Sequence, residues 1–221
     1  MLKVLGLAGS PRRGGNTELL LDRALAGAAS AGAQVEKVVL NRLKMKPCQE
    51  CGSCNTTGVC RMKDEMQGLY PKLEEADGLI LASPIFFMGL SAQAKAVIDR
   101  CQALWARKYL LGRPVGRPGQ KRLGLFLATG GTNREYTFKP SITVVKSFFA
   151  TLEVKYHGQL LYGSVDAKGE VFRHPTAMED AFQAGVGLVE ALLAEDVEPG
   201  ESPGTGLART SPVRGADTRG R

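Results

Sequence analysis

Five short apolar runs recur along this chain, and each is followed by a stretch whose apolar residues fall at helical spacing. That alternation is the strongest constraint on what the sequence can fold into. Lys3–Ala8 is a buried strand that enters a glycine-rich turn. Leu21, Ala24, Leu25 and Ala28 then mark a helix ending near Gly32. Val35–Leu40 is a second strand, a cysteine-rich segment follows, and a short helix is expected over about 64–75. Asp77–Ser83 is a third strand, and Ser91 suits the N-cap of a helix carrying Ala94, Val97, Cys101 and Leu104 on one face. A Gly-Arg-Pro-rich loop over 111–120 leads to a fourth strand, Leu123–Ala128. Pro140 fits the first turn of the next helix, with Ile142, Val145, Phe149 and Leu152 behind it. Val154–Tyr162 is the fifth strand, and Thr176 with Glu179 reads as a capping box opening a last helix that buries Met178, Phe182, Gly185, Val189 and Leu192. Strands alternating with helices predict right-handed crossovers, a parallel sheet and helices on both faces.

The 221 residues are 43% hydrophobic and 23% charged, which excludes a wholly disordered chain. Residues 1–196 are expected to form one domain. The segment 197–221, rich in Pro and Gly and poor in apolar residues, is expected to be a disordered tail. The apolar run from Leu79 to Leu90 is broken by Ser83-Pro84 and falls short of the ~20 residues of a spanning helix. Val4–Ala8 is too short for the core of an export signal. The expectation is a soluble, cytoplasmic protein with no membrane partner. A formal charge of +7 favours acidic or phosphorylated ligands and does not specify nucleic acid, so none is expected. From Arg100 to Arg134 there is no acidic residue. Two readings of that stretch stand: a solvated basic face, or a dock for an acidic partner.

Three loops leave the carboxyl ends of strands, the edge where open α/β sheets bind ligands. Gly9–Thr17 (GSPRRGGNT) brings Ser10, Arg12, Asn16, Thr17 and main-chain N–H groups to a helix N-terminus, where the dipole favours a phosphate. It is neither a Walker loop nor a dinucleotide fingerprint. Ser83–Gly89 (SPIFFMG) places Pro84, Ile85, Phe86, Phe87 and Gly89 in a loop that suits a flat apolar ligand. Thr129, Gly130 and Gly131 permit close main-chain approach after strand four. A mononucleotide with a large aromatic ring fits the set, and FMN is the obvious candidate.

Four of the five cysteines fall within thirteen residues, as Cys48-x2-Cys51-x2-Cys54-x5-Cys60 in a loop over 45–63. Zinc sites more often use two C-x-x-C knuckles separated by a dozen or more residues. Three thiols at so tight a spacing suit a [4Fe–4S] cluster; redox-active thiols and zinc are the alternatives. Cys101 lies on an apolar helix face and reads as core. His157 and His174 are isolated and read as structural or surface residues. No catalytic side-chain constellation is evident, as suits chemistry carried by cofactors.

Taken together, the phosphate loop, the cysteine run after strand two, the S-P-I-F-F segment leading to Ser91-Ala92-Gln93, and the glycine pair after strand four resemble those of the flavodoxin-like NADPH-dependent FMN reductases, in particular the iron–sulfur flavoproteins. The resemblance covers about residues 1–195. It implies a flavodoxin-like, doubly wound sheet of five parallel strands. It also implies FMN held by the three loops, a cluster on the four cysteines, and a homodimer or homotetramer. Relatives often have Tyr where Phe86 stands. The function expected from it is electron transfer from a one-electron, ferredoxin-like donor through the cluster to FMN and on to a small-molecule acceptor. The alternatives are an NAD(P)H-dependent FMN or quinone reductase with structural cysteines, and a cysteine-based redox or metal sensor.

Overall fold

The computed structural model describes residues 1–134 and 136–194; the expected tail, 197–221, lies outside them. In chain order the elements are β1 (Lys3–Ala8), α1 (Asn16–Ser30), β2 (Gln34–Val39), α2 (Cys54–Thr57), α3 (Met66–Glu75), β3 (Gly78–Phe86), β4 (Gly89–Leu90), α4 (Ala92–Arg100), α5 (Gln102–Trp105), β5 (Leu123–Thr129), α6 (Lys139–Thr151), β6 (Lys155–Tyr162) and α7 (Ala177–Leu193). Five strands run parallel in the order β2-β1-β3-β5-β6, and β4 folds back antiparallel on β3. This is the order of a flavodoxin-like sheet, whose switch point lies between β1 and β3. The central strands are continuous apolar runs because helices cover both of their faces.

Side chains alternate along each strand, so every strand contributes to two cores. Val4, Ile80 and Leu125 face α1 and α7, where Leu20, Leu21, Leu188 and Val189 are buried. Leu5, Leu7, Leu81 and Phe126 face α3, α4 and α6, meeting Leu69, Leu73, Val97, Phe148 and Phe149. Cys101 belongs to this second core, as expected, and burial pushes its thiol pKa up.

The α1–α7 contact is main chain on main chain. A Cβ at Gly185 would stand 1.9 Å from the carbonyl oxygen of Ala24, and one at Gly27 would stand 2.0 Å from that of Phe182. Replacing a helical glycine normally gains up to about 1 kcal/mol, and Gly187→Ala, with open space around it, should do so. Gly185→Ala must push two helices apart and should cost about 3 kcal/mol instead. Urea midpoints of the two variants should therefore move in opposite directions.

Arg122 is 3% exposed and forms an ion pair with no acidic side chain among the described residues. Its guanidinium donates to the carbonyls of Leu73 and Ala76 at the end of α3, and to that of Leu152 just past α6. One cation thus closes the carboxyl ends of two helices, where the dipoles favour positive charge.

Several local expectations are corrected. The Ser83–Gly89 segment is a hairpin rather than an open loop: β3 continues to Phe86, and Phe87-Met88 form a two-residue turn. Both turn residues have positive φ, 50° and 62°, as the tight turn geometry demands. The capping box at α7 does not form. Thr176 donates its hydroxyl to Asp180, and the His174 ring accepts from the N–H groups of Thr176 and Ala177. Glu179 reaches Gln183 and Arg23 instead. His174 also packs edge-on against Tyr162, 4.7 Å between ring centres, so its role is structural. His157 is exposed, beside the register shift between β5 and β6. Among the described residues no helix is long and apolar enough to cross a membrane.

Candidate functional site

The loops after β1, β3 and β5 meet at the carboxyl edge. The Gly9 N–H donates to the Ala82 carbonyl at 2.7 Å, and Pro84 stands opposite Thr129 in the β3–β5 register. In the first loop the Ser10 hydroxyl accepts from the Arg12 N–H and donates to the Arg12 carbonyl, which folds 10–15 into a tight cup. Gly14 has φ +62°, and a Cβ at Gly15 would meet Ser10 Oγ at 2.9 Å, so the cup needs bare backbone. Gly15 is the N-cap of α1 and offers no side chain to the first-turn N–H groups. Those donors, the buried Thr17 and the exposed Arg12 make an anion cradle, and a phosphate fits it.

Asn16 has a second job besides facing the cradle. Its amide donates to the Ala167 carbonyl at 2.9 Å and accepts from the Val171 N–H at 3.3 Å. Arg12 Nη1 reaches the Asp166 carbonyl at 3.1 Å. Both side chains tie the loop after β6 across the cradle, and Asn16 keeps its main-chain N–H and the second hydrogen of its amide for an anion. The tie brings in a cation that the motif alone does not show: Lys168 Nζ lies 3.7 Å from the position of a Cβ on Gly14. Glu18 also stands at this helix start. Burial alone would raise its pKa, but the Gly14 N–H and the Lys37 ammonium outweigh that and hold the carboxylate below its usual range. Lys37 offsets its charge at 3.1 Å.

Beside the cradle, Gly130 leaves Ile85 uncovered: a Cβ there would stand 3.7 Å from Ile85 Cβ and 3.3 Å from Thr137 Cγ2. Gly131 opens similarly toward Asp166. Phe86 is half exposed, and the Ser141 hydroxyl donates to the Met88 carbonyl, fastening the hairpin tip to α6. The structure thus gathers Pro84, Ile85, Phe86, Thr129, Gly130 and Gly131 around one bare, partly apolar surface that suits a planar ring. Gly89 lies in β4 beside Phe86, while Phe87 points fully into solvent at the tip.

The cysteine segment connects β2 to α3. Left-handed residues Glu50, Gly52 and Gly58 turn it back on itself, and the one-turn helix α2 starts at Cys54. Cys48, Cys51, Cys54 and Cys60 all line one cleft of about 880 Å³ between this segment, α4 and α6. Burial raises the Cys54 thiol pKa, and the other three cysteines of the run raise it further. Cys51 is held low by the Ser53 N–H and hydroxyl, with help from Arg61. Four thiols lining one cleft are a donor set that an iron–sulfur core would satisfy. They are not drawn together in advance: among the described residues no group of three or more His, Cys, Asp or Glu side chains is assembled to hold a metal ion.

The cleft lies away from the carboxyl edge of the sheet. Ser91, at the start of α4, bonds Gly9 and Ser83 at the carboxyl edge. The cysteines lie beside Arg100 and Cys101 at the other end of that helix, about 13 Å along it at 1.5 Å per residue. The chain between β2 and Cys48 runs down the flank of the domain, fastened to the start of α3 by Lys44–Glu65 and Lys46–Asp64 bonds.

The basic stretch is mostly committed internally. Arg100 and Arg122 are buried, Arg107 pairs with Glu74, Arg117 with Asp77, and Lys108 donates to the Ala150 carbonyl. The segment passes through a helix, a loop and a strand, and these five side chains are each buried or bonded within the fold.

Comparison with solved structures defines the class first. The chain superposes on a flavone reductase with a TM-score of 0.67 at 20% identity, covering 91% of this chain and 66% of that one. It matches an NAD(P)H:quinone oxidoreductase from Methanothermobacter marburgensis with a TM-score of 0.64 at 18% identity, covering 85% and 96%. These establish a flavodoxin-like fold. The NADPH-dependent FMN reductase pattern matches residues 2–139. An iron–sulfur flavoprotein of Methanocaldococcus jannaschii is 42% identical over 103 residues, 47% of this chain and 53% of the relative. A second from that organism is 31% identical over 156 residues, 69% and 73%. One from Archaeoglobus fulgidus is 38% identical over 128 residues, 58% and 62%. The chain belongs to the NADPH-dependent FMN reductase family, in its iron–sulfur flavoprotein subgroup. It spans a little over half the length of several of the curated relatives it matches.

Proposed function

We propose that the protein is an FMN-dependent oxidoreductase with a [4Fe–4S] cluster on Cys48, Cys51, Cys54 and Cys60, accepting electrons from a ferredoxin-like donor and serving a small-molecule acceptor. The observation that carries this reading is the pairing of two sites on one chain: an anion cradle with a bare ring surface at the sheet edge, and four thiols facing one cleft. When bound, the cluster supplies single electrons and FMN exchanges one or two. The first-turn N–H groups, Thr17, Asn16, Arg12 and Lys168 would hold the flavin phosphate, with Ser10 shaping the loop around it, and Ile85, Phe86 and Thr129–Gly131 would orient the ring. The cysteines' place well down the flank of α4 favours an arrangement in which a homo-oligomer brings one subunit's thiols toward another's flavin loops. The thiols need a reducing compartment, so we assign the protein to the cytoplasm.

The family's description favours a second reading, direct reduction by NADPH with the cysteines structural. Anaerobic stopped-flow mixing separates the two. The first reading predicts that reduced ferredoxin bleaches both the broad iron–sulfur band and the flavin bands, while NADPH alone is slow. Rapid flavin reduction by NADPH, with ferredoxin ineffective, would favour the second.

A further inference from the structure

The last residue of α4 is the most buried large side chain next to the cysteines. Arg100 is 1% exposed and lines their cleft. Nη1 donates to Asp64 Oδ2 at 2.6 Å and to the Lys46 carbonyl at 2.7 Å. Nη2 donates to Asp64 Oδ1 at 3.0 Å and to Cys60 Sγ at 3.4 Å. A guanidinium has five N–H donors in a rigid fork, and the fifth, on Nε, has no partner. A buried donor left unpaired is costly, and such groups call for an acceptor that is absent or a functional role. Tyr70 faces the same residue and donates to its main-chain carbonyl rather than pairing with the side chain. Asp64 balances the charge, and it also bonds the N–H groups of Lys46 and Met66, on either side of the cysteine run.

We infer that Arg100 is a positioning residue for the iron–sulfur group, its Nε–H and Nη2–H donating to the sulfurs held in this cleft and favouring their reduced, more negative state. This rests on the reading that the four cysteines carry a cluster. Hydrogen bonds to sulfur and nearby charge are what set the potential of such a centre, and Arg100 supplies both while Asp64 limits the second. Arg100 and Asp64 should then act in opposite senses. Arg100→Gln removes donors and charge, making reduction at least tenfold less favourable, about 59 mV lower for one electron. Arg100→Lys keeps the charge and should recover part of that loss. Asp64→Asn removes the counter-charge and should move the potential upward.

The test is a redox titration of the three variants and wild type followed by electron paramagnetic resonance, with iron and sulfide assayed in each. Opposed shifts for Arg100→Gln and Asp64→Asn support the inference, whereas a merely structural role would leave the potential unmoved or shift both variants alike. Should a variant fail to hold iron, protein labelled with 15N in its arginine guanidinium groups, in an Arg61→Lys background, decides the matter. The reduced cluster should show a 15N coupling in pulsed resonance spectra, and its absence overturns the inference. A cluster present in wild type with an unmoved potential overturns the inference alone. Wild type without iron and sulfide overturns the underlying reading and the inference with it.

Discussion

Cys54→Ala protein purified without oxygen should contain no stoichiometric iron or acid-labile sulfide and should keep its flavin. Cys54 opens α2, sits centrally in the run, and is the thiol whose ionisation all three neighbours oppose. Removing it leaves three ligands for a four-thiolate centre. The fold should survive, because the cysteine segment is fastened by other groups: Arg100 and Asp64 on either side, and Gln67, which donates to the carbonyls of Cys60 and Met62. The flavin should survive because its cradle is built from α1, the β3–β4 hairpin and the loops after β5 and β6, about 13 Å of helix away. Metal analysis and the visible spectrum should therefore separate: the flavin bands persist and the broad iron–sulfur absorption vanishes. Cys101→Ala should remove neither cofactor, since that side chain is core.

Arg122→Met should destabilise the domain by about 4 kcal/mol while changing no functional group. Methionine can fill the volume but cannot donate. The carbonyls of Leu73 and Leu152 would be left unmet at helix ends buried against the second core, and that of Ala76 would keep only a 3.5 Å bond from Gln120. Each such unmet acceptor costs about 1–3 kcal/mol, and partial hydration recovers some of it. Denaturant unfolding monitored by circular dichroism should show the lower midpoint with an unchanged slope. A loss under 1 kcal/mol would mean that the two helix ends do not depend on this cation.

The same arginine shows where sequence reasoning stops. Nothing in its neighbourhood marks Arg122 as buried; a basic residue in a stretch without acids reads as surface until the sheet places it between two helix ends. Arg100 is the same case: in a stretch without acids it reads as part of a basic face, yet it is buried. The strands were legible because β3 and β5 are buried on both sides and cannot be anything but apolar. The helix stripes of α1 and α4, and the Ser91 cap, which accepts from the Ala94 N–H, were legible for the same local reason. Choices between equivalent local partners were not. Thr176 could have paired with Glu179, but the His174 ring was nearer the free N–H groups. Phe87-Met88 form a turn that normally calls for glycine or asparagine, so their sequence gives no turn signal. Asn16 also ties down the loop after β6, a second role that its place in the motif does not show. That loop, with Lys168, could have been foreseen, because the loop after the last parallel strand shares the edge with the other three. The position of the cysteines depends on how an irregular segment runs down the flank, which no periodicity records.

The central claim is that one chain holds both a flavin and an iron–sulfur centre at the two places described. Its most direct test is the composition of wild-type protein purified under strict anaerobiosis, with FMN, iron, acid-labile sulfide and zinc measured per chain. Such protein should contain about one FMN, four iron and four sulfide, with no zinc. FMN with zinc, or FMN without metal, would contradict that claim and leave a simple flavin reductase.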